Sequence, residues 1–210
     1  MEKSTRIVLH LIGYWWSPWA RELPHPADHR LAGWGGSERP QLVSYLKTAP
    51  IVQMFFGTSY CRFECGEANM GSIERSDGVW IWPDGLAHYV ERHDVRLPDE
   101  FLAHVRRNRF DSSSFRFEYL RDPSPRTSLQ KWLAWSSQWA STAQQEADRE
   151  AAKMFEDLAR RRAAEADHLE SRLGVSDQRC AWHECSRRAI RDFAYCGQCA
   201  VRLNAHPPTT

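Results

Sequence analysis

Short apolar runs separated by polar breaks mark the first half of the chain. β-branched apolar runs at 5–14 and 51–56 predict two buried strands. Between them, residues 15–40 are rich in Trp, Pro and Gly, which indicates an irregular segment packed by aromatic side chains. Ser37 is placed to cap a short helix that ends before Pro50. Elements this short and mixed predict a small α+β domain.

A hairpin and two helices are predicted next. Residues 72–82 hold Asp77-Gly78 between two apolar or alternating runs, which favours a β-hairpin with Asp-Gly in its turn. The pattern then predicts a helix from Leu86 to His93 and another over 99–109. Asp99 stands near the start of the latter, where it suits the helix dipole.

Residues 127–173 contain neither Pro nor Gly, and their apolar positions recur at spacings of three, four and seven. This pattern predicts one long helix or a helix pair, followed by Gly174 as the residue that ends it. A single helix would extend about 70 Å, so part of it would project or pair with another helix. The second half, 144–173, is typical of a coiled coil or of an antiparallel helix seam. The first half predicts a stripe packed on the core, formed by Trp132, Trp135 and Trp139.

The domain organisation follows from these patterns. We predict an N-terminal zinc-binding α+β domain at 1–109, a linker at 110–126, the helical connector at 127–174 and a C-terminal four-cysteine zinc finger at 175–210. The fold class is therefore α+β, with a coiled-coil-like connector between two zinc-bound parts.

Charge and composition narrow the function classes. The net charge of +1 excludes a strongly basic coat for nucleic acid, although five arginines against two acids make the chain from residue 179 onward mildly basic. We expect no membrane span and no secretory signal, because the apolar run 7–12 is short and contains His10. A cytoplasmic protein keeps its thiols reduced, so six clustered cysteines indicate metal ligands.

The first candidate metal group is Cys61-x3-Cys65 followed by His88-x4-His93. Zinc prefers four nitrogen or sulfur ligands in a tetrahedron, and a turn followed by a hairpin and a helix is the order of elements in a zinc finger. The alternative is that the cysteines are inert thiols and the histidines ordinary helix residues, but a short polar turn is a poor place for buried thiols. His104 is a spare candidate ligand.

This region also resembles a module that recurs in uncharacterised bacterial proteins. The resemblance rests on the turn TSYCRFECG and on DGVWIWPDGLAHYVERHDVRLP, with GYWWSP and LPHP nearer the start, and covers about residues 5–105. It implies a shared fold and a metal site at Cys61, Cys65, His88 and His93. It implies no activity, since none is established for the group.

The second candidate metal group is Cys180-x4-Cys185-x10-Cys196-x2-Cys199. Two cysteine pairs separated by a short basic hairpin predict a four-cysteine zinc site. We expect residues 193–195 to form a strand into the second pair and a short helix to begin at Cys199. His183 is an alternative to Cys185.

Motifs of known enzymes are missing from the sequence. There is no H-E-x-x-H, zinc-deaminase, P-loop, dinucleotide-binding or nucleophile-elbow pattern. Both groups supply four ligands, whereas a catalytic zinc keeps an open position. The enzyme alternative is a metal-dependent nuclease that uses Asp84, His88 and His93.

The sequence thus predicts a non-enzymatic adaptor or regulatory protein that holds two structural zinc ions and acts within a protein complex. Its expected partner is a protein, or a second copy, bound along the long helix. The other alternative is a nucleic-acid-binding regulator whose C-terminal finger meets phosphates through Arg187, Arg188 and Arg191.

Overall fold

The computed structural model describes residues 8–112 and 126–204, and the chain divides into two compact units, Met1–Asp148 and Arg149–Thr210. The strands of the first unit are β1 (Val8–Leu11), β2 (Ile51–Met54), β3 (Ile73–Ser76), β4 (Trp80–Pro83) and β5 (Arg126–Ser128). Its helices are α1 (Arg39–Thr48), α2 (Leu86–His93), α3 (Asp99–Arg107) and α4 (Gln130–Ser136), with 3₁₀ turns at Pro26–His29 and Gly36–Glu38. The architecture is α+β, as predicted.

The five strands form one mixed sheet in the order β2-β3-β4-β1-β5. β2, β3 and β4 are antiparallel neighbours, whereas β1 runs parallel to both β4 and β5. The predicted hairpin is confirmed as β3–β4. Asp77 closes its turn, since one carboxylate oxygen accepts from the N–H groups of Val79 and Trp80 at 2.9 and 2.8 Å. Gly78 occupies a positive φ of 88°, which glycine adopts without strain.

Aromatic side chains dominate the core of the first unit. Trp80, Trp82 and Trp132 are among its largest fully buried side chains. A buried indole N–H needs an acceptor, and backbone carbonyls supply it: Trp82 donates to Leu46 at 3.1 Å and Trp132 donates to Tyr14 at 2.9 Å. Two members of the predicted tryptophan stripe belong to this core, because Trp135 stacks on Trp132 with ring centroids 4.9 Å apart. The third, Trp139, contacts Trp135 with ring centroids 5.7 Å apart but lies outside this core cluster.

The helical region after residue 126 differs from the uniform pattern in the sequence. Arg126 and Thr127 belong to β5, and two helices follow: α4 and α5 (Thr142–Leu173), separated at residues 137–141. The break has a physical cause, because the Asp28 carboxylate accepts from the N–H groups of Ala143 and Gln144 at 2.8 and 3.0 Å and caps a new helix start. Most of the predicted linker, 113–125, lies outside the described residues.

The second unit begins within α5, of which Ala166 is buried in this unit. Gly174 ends the helix at a φ of 75°, as predicted. A two-stranded antiparallel sheet of β6 (Val175–Arg179) and β7 (Arg188–Ile190) follows, and then α6 (Gly197–Leu203). The prediction of a strand at 193–195 is wrong. The extended segment lies earlier, in β7, and the chain turns before Cys196.

Candidate metal centres

The first group of ligands comes from one turn and one helix. Cys61 and Cys65 lie in the turn after β2, and His88 and His93 lie on α2. One ligand atom from each of the four lies within 4.8 Å of every other, which is the arrangement of side chains around a single metal ion. The structure therefore brings together all four residues that the sequence indicated.

Short distances join these atoms in pairs. Cys61 Sγ lies 3.3 Å from His93 Nε2, and Cys65 Sγ lies 3.4 Å from His88 Nε2. The two Nε2 atoms are 3.1 Å apart. Each imidazole thus faces one thiol and the other imidazole, so the four atoms enclose a common centre.

Local backbone geometry explains why α2 can present two histidines five residues apart. Leu86, Tyr89 and Val90 are buried and fix the inner face of the helix. The helix ends directly after His93, where Asp94 adopts the left-handed conformation at a φ of 53°. Ending the helix at this point leaves His93 at its last residue, so its ring is not held to the regular spacing of a longer helix.

The cysteine turn is held by hydrogen bonds of its own. The Cys61 N–H donates to the Glu67 carbonyl at 3.0 Å, and the Phe63 N–H lies 3.5 Å from the Cys61 sulfur. Glu64 takes a positive φ of 50°, which tightens the turn between the two cysteines. Burial raises the pKa of the Cys61 thiol, and the Phe63 N–H directed at the sulfur offsets only part of this rise.

The surroundings of the histidines keep them in the form that binds metals. Burial lowers the pKa of both His88 and His93 below the usual 6.5, so both rings are neutral at neutral pH. Phe63 stacks on the His93 ring, with centroids 4.3 Å apart and planes at 22°. Sequence reasoning missed Phe63, although its position between the two cysteines was the available signal.

A cleft of about 940 Å³ adjoins this group. Cys65 is exposed, whereas Cys61 is only 2% exposed. The cleft is lined by Cys65 and both histidines and also by charged residues of both signs, among them Lys47, Glu67, Arg75, Asp84, Glu91 and Arg92. One side of the first group is therefore open to molecules from solution.

Asp84 is the residue that the nuclease alternative adds to the histidines, and it lines the same cleft. Its carboxylate accepts from the Arg75 guanidinium at 2.6 Å.

His104, the spare candidate ligand, belongs to neither metal group. It lies 3.1 Å from the buried carboxylate of Asp77, which also accepts from the Tyr45 hydroxyl at 2.7 Å.

The second group consists of four cysteines in the second unit. The Sγ atoms of Cys180, Cys185, Cys196 and Cys199 all lie within 4.8 Å of one another. Those of Cys185 and Cys196 are 3.7 Å apart, too far for a disulfide bond, and all four thiols are free. Three of the four residues are buried, and Cys185 is half-buried. His183, the predicted alternative to Cys185, is not a member of the group, and Cys185 is.

Two structural features hold the second cysteine pair. Cys196 is the N-cap of α6, and its sulfur lies 3.5 Å from the Cys199 N–H. Gly197 packs directly against α5: a Cβ at this position would meet the Ala166 carbonyl at 2.4 Å. The Gly197 N–H donates to the Glu170 carboxylate at 2.8 Å. A glycine directly after a ligand was the signal for this close approach, and sequence reasoning missed it.

Cys196 and Cys199 resist losing their protons when no cation is near. The pKa of Cys180 is instead lowered, because the effect of its burial is outweighed by hydrogen bonds from the Cys196 and Trp182 N–H groups. Burial, and then the neighbouring thiols of Cys196 and Cys180, raise the pKa of Cys199 well above that of a free thiol. A bound cation reverses this preference by stabilising the thiolates, which is why clustered cysteines favour metal binding. Both groups could therefore hold a metal ion.

The predicted phosphate-contacting arginines lie on the surface of the second unit. Arg187, Arg188 and Arg191 are all exposed. Arg188 forms an ion pair with Asp177 at 2.5 Å, and Arg187 and Arg191 have no carboxylate partner among the described residues. The three side chains are thus accessible, but they do not line a groove described in the structure.

Comparison with models of known protein families found no match, and comparisons with curated proteins and with solved structures found none either. Among the described residues, no helix combines the length and the apolar character that crossing a membrane requires. The inference of function therefore depends on the two ligand groups and their surroundings.

Proposed function

We propose that the chain is a non-enzymatic bacterial protein that binds two structural zinc ions and acts in the cytoplasm as an adaptor or regulatory subunit of a protein complex. One observation carries this proposal: each ligand group already has four sulfur or nitrogen atoms around a common centre. Structural zinc sites are filled by four protein ligands, whereas catalytic ones keep a position for water or substrate.

The distances between donor atoms support zinc as the metal. In a tetrahedron with Zn–S bonds of about 2.3 Å and Zn–N bonds of about 2.0 Å, two sulfurs lie about 3.8 Å apart, a sulfur and a nitrogen about 3.5 Å, and two nitrogens about 3.3 Å. The corresponding distances here are 3.7 Å, 3.3 to 3.4 Å, and 3.1 Å. Thiolate and imidazole together are also the donor set that zinc prefers.

The six free thiols support a cytoplasmic location, because cytoplasmic proteins keep their thiols reduced. The bacterial assignment, and a fold and metal site shared with other proteins, rest on the resemblance of residues 5–105 to the bacterial module. The adaptor role follows from two metal-stabilised units without a catalytic metal position.

Native mass spectrometry of the purified full chain tests the proposal. We expect a chain of 24.4 kDa with two zinc ions, and the loss of one ion in each of the variants Cys61→Ser and Cys196→Ser. His104→Ala is the matched control, since His104 belongs to neither group, and it should retain both ions. A wild-type chain isolated without chelators that carries no metal would contradict the proposal.

A nucleic-acid-binding regulator is a second candidate function, favoured by the exposed arginines of the second unit. Its test is fluorescence anisotropy with labelled DNA and RNA at increasing salt. The double variant Arg187→Gln/Arg188→Gln should weaken binding and reduce the salt dependence, whereas Arg160→Gln/Arg161→Gln, an equal change of charge on α5, should not. Binding that both variants retain equally would exclude the finger as the contact surface.

The metal-dependent nuclease is the third candidate, favoured by the cleft that Asp84, His88 and His93 share. It requires divalent-metal-dependent cleavage of DNA or RNA that disappears in Asp84→Asn while both zinc ions and the near-ultraviolet circular dichroism of the tryptophans are retained. We expect no such cleavage, because the Asp84 carboxylate is engaged by Arg75 and both imidazoles face the cysteine thiols.

A further inference from the structure

The two ligand groups differ in how far their sulfur atoms are open to solution. Cys65 is exposed and lines the cleft of about 940 Å³, whereas Cys61 is only 2% exposed. In the second group three of the four cysteines are buried, and Cys185 is half-buried. Cys65 is therefore the ligand cysteine that a dissolved reagent reaches most easily.

A metal ion in the first group would make Cys65 reactive as well as accessible. A thiol that coordinates a metal ion is deprotonated, and the thiolate is the form of sulfur that acts as a nucleophile. The susceptibility of a cysteine to oxidation follows its thiolate character and its exposure, and sites that respond to oxidants have a second cysteine nearby. Cys65 meets the first two conditions once the metal is bound.

Cys61 meets the third condition, because it is placed to form a disulfide with Cys65. The two sulfurs lie within 4.8 Å of each other, and three residues separate the two cysteines along the chain. A disulfide requires the sulfurs to approach to about 2.05 Å. Residues 64–69 are all exposed, and a Cβ on Gly66 would meet nothing within 4 Å, so packing leaves this turn free to adjust.

We propose that the first metal group is a peroxide-responsive site, in which oxidation of Cys65 and Cys61 to a disulfide releases the zinc ion. This inference rests on the proposed function, which supplies the zinc ion. The oxidant is a hydroperoxide, of which hydrogen peroxide is the smallest, and it reaches Cys65 through the cleft.

Two steps account for the atoms and electrons. The Cys65 thiolate attacks one oxygen of hydrogen peroxide, so an S–O bond forms and the O–O bond breaks, and the leaving hydroxide takes a proton from solvent to become water. The Cys61 thiolate then attacks the Cys65 sulfur, so the S–S bond forms and the S–O bond breaks, and a second hydroxide leaves as water in the same way. The two sulfurs are oxidised by two electrons, and the peroxide is reduced by them.

Oxidation leaves the first group with too few donors to keep its metal. His88 and His93 are the remaining ligands, whereas a structural zinc site uses four. The apolar cluster of the first unit packs around Trp80, Trp82 and Trp132, apart from these donors. We therefore expect the unit to stay folded after zinc release, and the site to refill when the disulfide is reduced.

Addition of excess hydrogen peroxide to the zinc-loaded full chain, followed with a chromogenic zinc chelator, tests the proposal. We expect the first group to release its ion roughly tenfold faster or more than the second, whose sulfurs are shielded from solution. Trypsin cleaves after Arg62, so the peptides 48–62 and 63–75 should be recovered joined by a disulfide. Dithiothreitol and added zinc should restore the original metal content.

Two variants separate the disulfide from metal binding itself. Cys65→His keeps a zinc donor at this position but cannot form the disulfide, so it should hold both ions and lose the fast release. Cys185→His is the matched control, because it makes the same exchange in the second group and should leave the fast release unchanged. Should Cys65→His bind no zinc at the first group, the disulfide mapping of the wild type decides.

A wild-type chain that keeps both ions in excess peroxide overturns the proposal, and so does equally fast release from zinc-loaded Cys65→His. Disulfides that form first among the cysteines of 180–199 also overturn it, because they place the reactive sulfurs in the second unit. An untreated chain that carries no zinc contradicts the proposed function and this inference together. Zinc that is bound but not released contradicts this inference alone.

Discussion

The two ligand groups have the same number of donor atoms but very different surroundings. The first group lies beside an apolar cluster of twenty buried residues that runs from Ile12 to Trp132 and includes Cys61. The second group is itself the centre of an apolar cluster, whose buried members are Cys180, Cys196 and Cys199. Among the described residues, the first unit therefore has a core apart from its metal ligands, and this cluster of the second unit does not.

This difference indicates two uses of the same chemistry. A unit of about sixty residues buries too little apolar surface to fold securely alone, so a metal bound by its four cysteines would supply a large part of the folding free energy. In the first unit, the packing of tryptophans already stabilises the sheet. A metal bound there would fix the cysteine turn and α2 against each other and shape the cleft beside them. The predictions below test this contrast.

The largest effect is expected for Cys196→Ser. Cys196 is fully buried, and its sulfur accepts from the Cys199 N–H as well as contributing to the second group. Loss of this ligand should remove the zinc from the second unit and with it on the order of 10 kcal/mol of folding free energy. We expect hydrogen exchange to become unprotected throughout 175–204 and to stay unchanged in the sheet of the first unit. Retained protection in 175–204 would show that this unit folds without metal.

Trp132→Ala should be the corresponding change in the first unit, because Trp132 is fully buried and its indole donates to the Tyr14 carbonyl. Removing a buried tryptophan costs about 3–5 kcal/mol. Urea unfolding followed by tryptophan fluorescence should report this loss. The second group should keep its zinc ion. Native mass spectrometry should still detect this ion after a chelator has removed the ion of the first group.

Cys61→Ser should have a smaller effect than either of these changes. It removes one ligand of the first group, but the apolar cluster around Trp80 and Trp82 is left intact. We expect the melting temperature of the first unit to fall by roughly 10 °C, which corresponds to about 3 kcal/mol for a unit of this size. The near-ultraviolet circular dichroism of its tryptophans should persist at 20 °C, about the temperature of greatest stability for such domains. Its disappearance would mean that the first unit also depends on metal for folding.

The smallest effect concerns His29, a residue of the aromatic core that the sequence did not single out. His29 is 2% exposed and lies between Trp15 and Trp135. Burial, and then the charge of Arg96, lower its pKa from 6.5 to about 4. The imidazole therefore stays neutral in the folded chain at pH values where it is protonated in the unfolded chain.

The direction of the pH effect follows from that lowered pKa. Above about pH 6.5 both states are neutral at His29 and stability is unaffected; below it only the unfolded state binds the proton, so stability falls until the pH reaches about 4. Between about pH 7.5 and about pH 5 the free energy of unfolding should fall by about 2 kcal/mol because of His29. Urea unfolding of the wild type and His29→Phe at both pH values measures it. Because the metal ligands are the same in both proteins, the difference between their changes in unfolding free energy with pH isolates His29. An equal change in both proteins would contradict the assignment.

Much of the local structure was predictable because its signals are local. Asp77-Gly78 between strand-like runs indicated the hairpin, and Gly174 indicated the end of α5. The identity and spacing of the eight ligands also indicated both metal groups, since a turn or a helix end fixes the separation of two ligands. The helix break near residue 140 was not predictable, because it depends on a cap from Asp28, more than a hundred residues earlier.

The sequence by itself determined which side chains can bind metal and which short elements carry them, because those properties depend on residue type and on spacing within a few turns of chain. Only the tertiary structure decided that β1 lies between β4 and β5, that His104 lies at Asp77 instead of at a metal group, and that β2 is the terminal strand among the described residues, with Met54 exposed. Contacts between distant segments form where they bury much apolar surface while most polar groups stay paired. Such a balance involves the whole unit, so no single stretch of sequence encodes it.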